Sequence, residues 1–244
     1  MIIPTTGAAF ILTAWRTALS TSIHSSSADQ TTLPLCSQTP RRYTQAVNLP
    51  DRFEITLRDG TPVIARPLIP EDRPELAEAY RRLSPAARYN RFWTHTGEIV
   101  GEKMLSRVLQ QHPKTHVTWT VLDPTREFSP LGGASWWRDT SDSPEAEISL
   151  IVLDDEQGRG IGTLLLAIMW LTAFRAGAES IVGYVLAENR QAAHWMRDCG
   201  ASGEWDGYKL IYRWDLRDLD ALPETRAAAD LADWLAVLGP RILR

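Results

Sequence analysis

Cysteine is nearly absent from the chain: Cys36 and Cys199 are the only two, far apart and without metal-ligand spacing. They cannot form a disulfide framework, and a reducing cytosol is the compartment this implies. Positive charge is not in excess either. The formal net charge is −4, which argues against a general nucleic-acid binder. No apolar run approaches the length of a bilayer span, and the one at residues 7–15 is far too short, so no membrane association is expected. That run also lacks basic residues ahead of it, the first being Arg16, and so makes a poor secretory signal. His112 and His116 are four apart, but Pro113 interrupts a shared helix face and no Glu follows His112. No metal is expected.

What is present is the composition of a globular protein, 44% hydrophobic and 23% charged. The 244 residues have room for one ordinary domain with extensions. Residues 1–50, Ser/Thr-rich from 20 to 32 and carrying Pro34, Pro40 and Pro50, have little apolar surface to bury. They read as a disordered extension, with wrongly included upstream sequence as the other reading. The domain proper spans 51–216, and 217–244 reads as a carboxy-terminal amphipathic helix that packs on the body or on a partner. Ten tryptophans is a high count. Trp119, Trp136, Trp137 and Trp214 fall in expected strands, where their rings would fill a core.

The pattern along the domain alternates between two periods. Residues 53–58 and 61–68, joined by Asp59-Gly60, read as a β-hairpin. Pro70-Glu71-Asp72 opens a helix, Ser84-Pro85 caps and starts a second over 86–93, and 102–110 is a third. Strands follow at 117–122, 131–138 and 145–153. A long apolar helix carries Ile161, Leu164, Leu165, Ile168 and Leu171 on one face and ends near Gly177. A strand at 181–186, a helix at 188–199 and a last strand at 207–216 complete the domain.

The organising stretch is the bend Gln157-Gly158-Arg159-Gly160-Ile161-Gly162, where three glycines lie between a strand and a helix. Glycine lets backbone N–H groups approach a ligand closely. A helix start adds unpaired donors and the positive end of its dipole, which suits a pyrophosphate. A Walker loop is excluded because the bend has no Lys, and the dinucleotide fingerprint fails because Thr163 stands where its third glycine belongs. The pattern Gln/Arg-x-x-Gly-x-Gly/Ala fits through Gln157, Gly160 and Gly162.

That pattern resembles the acetyl-CoA loop of the GNAT N-acetyltransferase superfamily, and the element order over residues 53–216 resembles its fold. The resemblance implies an α/β (α+β) fold: a mixed, mostly antiparallel sheet with a splayed parallel strand pair, flanked by helices. The pair would be 146–153 and 181–186, with the thioester of acetyl-CoA, the co-substrate, lying between them. Main-chain nitrogens of Gln157, Gly158, Arg159, Gly160, Ile161, Gly162 and Thr163 would hold the pyrophosphate, with the Arg159 side chain available for its charge. The N–H of Val152 or Leu153 would polarise the thioester carbonyl. Asn189 would touch the pantetheine arm, cap the following helix, or both.

Two further resemblances bear on chemistry. Leu57-Arg58-Asp59-Gly60, Arg66-Pro67 and the stretch from Leu83 to Phe92 are similar to the front part of bacterial protein-lysine acetyltransferases. This implies that Arg88, Tyr89 and Arg91 shape the acceptor side. Glu147 resembles the glutamate such enzymes use as general base, with Glu145 in reserve. Partial burial would bring such a carboxylate towards a useful pKa. Where many relatives carry a proton-donating Tyr, this chain has Met196. The expected function is therefore transfer of an acetyl group to a primary amine, a protein lysine first and a small-molecule amine second. A catalytically silent acyl-CoA-binding regulatory module is the reading of a different class. A homodimer is left open.

Overall fold

The computed structural model describes residues 52–243, apart from 94, 96, 98–100 and 128. The extension over residues 1–50 lies outside the described residues. Along the chain come β1 (Phe53–Thr56), β2 (Pro62–Pro67), α1 (Arg73–Arg82), α2 (Pro85–Phe92) and α3 (Glu102–Leu109). Then follow β3 (His116–Asp123), β4 (Ser129–Trp137), β5 (Glu145–Val152), α4 (Ile161–Arg175) and β6 (Ser180–Leu186). The chain closes with α5 (Arg190–Asp198), β7 (Ser202–Trp205), β8 (Lys209–Asp215) and α6 (Arg226–Ile242).

Eight strands form one sheet in the order β1-β2-β3-β4-β5-β6-β8-β7. Every neighbouring pair is antiparallel except β5 and β6. This is the mixed sheet with one parallel pair that the resemblance implied.

Local chemistry explains most of the elements. The β1–β2 turn closes where Gly60 adopts φ +85° and the Thr61 N–H donates to Asp59 Oδ1 at 2.9 Å. Ser84 caps α2 by accepting the Ala87 N–H at 3.1 Å, with Pro85 following as its first helical residue. Trp119, Trp136 and Trp214 are buried, while Trp137 is half-buried and stacks on His116. Two of the buried indoles keep a polar partner: Trp136 Nε1 donates to Thr172 Oγ1 and Trp214 Nε1 to the Cys199 carbonyl, each at 2.9 Å.

Helix α4 departs from the expected one-faced pattern. Leu166, Met169 and Trp170 are as buried as Ile161, Leu164, Leu165, Ile168 and Leu171. The reason is α6, which packs Leu231, Leu235, Leu238 and Ile242 into the same core and covers the side of α4 turned away from β3, β4 and β5. A helix enclosed on both sides is apolar all round. The other face of the sheet carries α1 to α3, where Tyr80, Leu83, Leu105 and Leu153 form a second, smaller cluster.

Candidate active site

The parallel pair holds only from Glu145↔Ser180 to Ile148↔Gly183. Beyond that point β5 continues to Val152 and β6 to Leu186 without pairing to each other, so the two strands splay. A cleft of about 980 Å³ runs through the gap. Its walls are the open ends of β5 and β6, the glycine bend, helices α2 and α5, and the start of α6.

At the bend, Gly158 and Gly160 have φ +77° and +85°, and a Cβ on either would meet no atom within 4 Å. The chain here takes a left-handed course that a side chain would strain, and it faces open space. Gly160 is the N-cap of α4 and supplies no capping side chain. The first α-helical bond runs from the Leu164 N–H to the Gly160 carbonyl, at 3.0 Å. The N–H groups of Ile161, Gly162 and Thr163 precede it and have no helical acceptor. Such a cradle fits a diphosphate.

Arg159 does something other than expected. Its guanidinium is turned away from the cleft and held by Asp59 Oδ2 at 2.9 Å, Thr61 Oγ1 at 2.7 Å and Glu156. Glu156 is buried and also binds Arg126, at 2.6 Å. The side chain thus fastens the bend to the β1–β2 turn. Gln157 bridges the cleft floor, donating to the Val152 carbonyl at 3.3 Å and accepting from Gln191 at 3.0 Å.

The register of β5 separates the two expected carbonyl-polarising donors. The Leu153 N–H donates to the Leu131 carbonyl at 3.0 Å and is therefore engaged by the β4 side. Alternation along an antiparallel pair then turns the N–H groups of Val152 and Leu150 the other way, into the splay. Val152 stays a candidate, Leu153 does not, and Leu150 is added.

Glu147 lines the cleft but is exposed, so the expected partial burial is not found. Among the described residues its carboxylate has no hydrogen-bond or ion-pair partner, whereas Glu145 is bound to Arg213 Nε at 2.6 Å. Burial brings the Arg91 guanidinium down to about 10, against the pull of Glu147, so Arg91 keeps its charge at neutral pH. Tyr184, also in the cleft, is raised by burial and then by Glu147 and Glu145, and holds its proton. Met196 is buried against Gly183, and Cys199, fully buried, is pushed up to about 12 by burial. That cysteine is a core side chain.

The α2 residues divide. Arg91 lines the cleft. Arg88 is buried, donating to the Leu83 carbonyl at 2.7 Å, and Tyr89 stacks on His95; neither lines the cleft. Asn189 lines it and also caps α5, accepting the Ala192 N–H at 3.1 Å. Trp93, Tyr184 and Arg226 were not singled out from the sequence. Trp93 sits at φ +56° at the end of α2, a strained position for a non-glycine residue beside a functional cleft. Arg226 arrives from the first turn of α6. Among the described residues no cluster of His, Cys, Asp and Glu is arranged to hold a metal, and no helix is long and apolar enough to cross a membrane.

Residues 63–202 match the family model described as "Acetyltransferase (GNAT) domain". The chain belongs to the GNAT acetyltransferase family. It is 30% identical over 158 residues to Acetyltransferase PA5475 of Pseudomonas aeruginosa, covering 63% of this chain and 80% of that one. Its fold is similar to the GNAT domain of S. lividans PAT (TM-score 0.62, 21% identity, 67% of this chain and 96% of that one). It is similar also to yncA, a putative acetyltransferase from Salmonella typhimurium with its cofactor acetyl-CoA (TM-score 0.50, 16% identity, 63% and 94%). Like other GNAT enzymes this chain is an acyltransferase that uses a CoA thioester and an amine acceptor. Helix α6 lies beyond the matched stretch, yet it contributes to the GNAT cleft.

Proposed function

We propose that this GNAT enzyme acetylates protein lysine by direct attack of the amine on acetyl-CoA, with Glu147 as general base. The observation that carries the reading is the contrast between the two acids of β5: Glu145 is tied to Arg213, while Glu147 stands in the cleft with its carboxylate unengaged among the described residues.

A base is needed because a lysine of pKa near 10.4 is neutral only about once in 2,500 molecules at pH 7. Glu147 takes the amine proton, directly or through water. The nitrogen lone pair then forms the amide bond at the thioester carbonyl, whose developing negative charge meets the Val152 N–H. The carbon–sulfur bond breaks with its electron pair on sulfur. CoA thiol, with pKa about 8.5, leaves tolerably as the thiolate. Met196 has no proton to offer, and the phenol in the cleft that retains one is Tyr184. The bend supports the reading by giving the diphosphate main-chain donors from Gly158 to Thr163.

A lysine acceptor is supported by the rings at the cleft mouth. The ammonium of the chain's own Lys209 lies 4.6 Å from the Tyr184 ring centroid and 6.0 Å from that of Trp93. Aromatic faces here attract an alkylammonium. The test is Glu147→Gln, assayed with acetyl-CoA and a panel of proteins and small amines. CoA binding is retained and turnover on a protein lysine falls about 10²-fold or more. Unchanged turnover rejects Glu147 as the base, and labelling confined to small amines rejects the acceptor.

A further inference from the structure

A second cavity lies on the α1–α3 side of the sheet, next to the cleft. It measures about 420 Å³, and Arg91, Phe92, Ser149 and Ile151 line both spaces. Its roof is apolar, from Leu76, Ala79 and Tyr80 of α1 to Met104, Leu105 and Val108 of α3. Its floor is the face of β3 to β5 that carries small residues.

The floor contains hydroxyls; those of Thr118, Thr120 and Ser135 are hydrogen-bonded within the protein, while Ser149 stands where the cavity meets the cleft. His116 Nδ1 lies 2.8 Å from the Gln110 carbonyl, Thr118 Oγ1 lies 3.1 Å from His116 Nε2, and Ser135 Oγ lies 2.9 Å from Thr118 Oγ1. Thr120 Oγ1 donates to the Gly132 carbonyl at 3.1 Å. What these side chains leave for a ligand is mainly methyl surface. Of the charged residues around it, Arg66 is paired with Asp72 at 2.7 Å, and Glu75, Arg91 and Glu127 stand among the other lining residues.

Protein interiors carry few voids larger than a water molecule, and an apolar one of about 150 Å³ takes up benzene. A space of about 420 Å³ falls within the range of dedicated small-molecule pockets. It opens where β5 changes from cleft wall to cavity floor. Ser149 and Ile151 project to the α1–α3 side, while the N–H groups of Leu150 and Val152 enter the splay. A thioester carbonyl at Val152 would have its acyl carbon beside this opening.

We infer that the cavity receives the acyl chain of the co-substrate, so that this enzyme transfers apolar acyl groups longer than acetyl. The inference rests on the cleft being the CoA site. The step keeps the balance given above: nitrogen–carbonyl bond formed, carbon–sulfur bond broken, the amine proton to Glu147 and the electron pair to the CoA sulfur. Only the acyl tail changes, and it reacts with nothing.

The test measures binding of CoA and of acetyl-, butyryl-, hexanoyl- and octanoyl-CoA to the full chain, without acceptor, by calorimetry. Each buried methylene tightens binding about fourfold until the cavity is full. Turnover on one fixed amine acceptor follows the same order. Ala79→Leu on α1 and Val108→Phe on α3 each narrow the cavity from a different helix. Either variant, once its melting curve shows it folded, loses the gain for the longer chains and keeps its affinity for acetyl-CoA. Longer thioesters that bind no better than acetyl-CoA, while CoA itself binds, overturn the inference and leave the cleft assignment standing. Variants that change the acceptor KM but not the chain-length profile overturn it in favour of an acceptor pocket. Failure of CoA to bind at all removes the cleft assignment, and the inference with it.

Discussion

Arg159 Nε lies 2.9 Å from Asp59 Oδ2, joining the glycine bend to a hairpin turn one hundred residues earlier in the chain. The resemblance to other GNAT loops implies a side chain aimed at phosphate. The geometry makes it a fastening for the backbone that carries the donors. If so, Asp59→Asn and Arg159→Met each weaken CoA binding by about fivefold, the scale of a part-exposed ion pair. The double variant is then little worse than either single one. A direct phosphate contact would give a loss for Arg159→Met alone, and calorimetry on the three variants separates the cases.

The same pair sets an acid limit. Thr61, through its side chain and its backbone N–H, and then Arg159 hold Asp59 down to about 2. Its folded value is below the unfolded value of about 3.9. The stabilisation is therefore complete above about 3.9 and is lost as pH falls through about 2. A carboxyl NMR titration of Asp59 should show a midpoint near 2, and Arg159→Met should move that midpoint upward.

Gly160 has φ +85° and space around it, so a side chain there is opposed by backbone strain rather than by collision. Gly160→Val costs about 1–2 kcal/mol or more in that conformation. The chain relieves the strain by rotating the bend. CoA affinity should be lost while the melting temperature shifts by only a few degrees. Retained affinity would reject the bend as the diphosphate site.

Glu145 and Glu147 are neighbours on one face of β5 with opposite expected phenotypes. Glu145→Gln removes a half-exposed pair with Arg213, worth at most about 1 kcal/mol, and leaves turnover within a few-fold. Steady-state rates for the two glutamine variants, measured side by side, check this.

Leu235 is 1% exposed between α6 and α4. Leu235→Ala should destabilise the fold by about 2–5 kcal/mol, read from denaturant unfolding. A loss below about 1 kcal/mol would mean that α6 is a loose appendage.

What could be read from the sequence was whatever had a local cause. Asp59-Gly60 marks its own turn, Ser84-Pro85 its own cap, and the glycines of the bend their own conformation. Strand β7 leaves no signal in the sequence because all four of its residues are exposed and show no alternation. The enclosure of α4 was unreadable for another reason: it depends on α6, more than fifty positions further on. The choice between Val152 and Leu153 rests on the register of β5 against β4, which no single strand encodes. The burial of Arg88 is hidden for a similar reason, since an arginine in an amphipathic helix gives no sign that it will bind the Leu83 carbonyl inside.

Where β5 and β6 part after Ile148 and Gly183, the sheet is left unzipped, with main-chain groups at the edges of both strands that no neighbouring strand satisfies. A pantetheine arm, itself built of amides, can enter that seam as a short surrogate strand. With the co-substrate bound as proposed, it completes the architecture as well as the chemistry, and amide exchange at Leu150 and Val152 should slow when the thioester is in place.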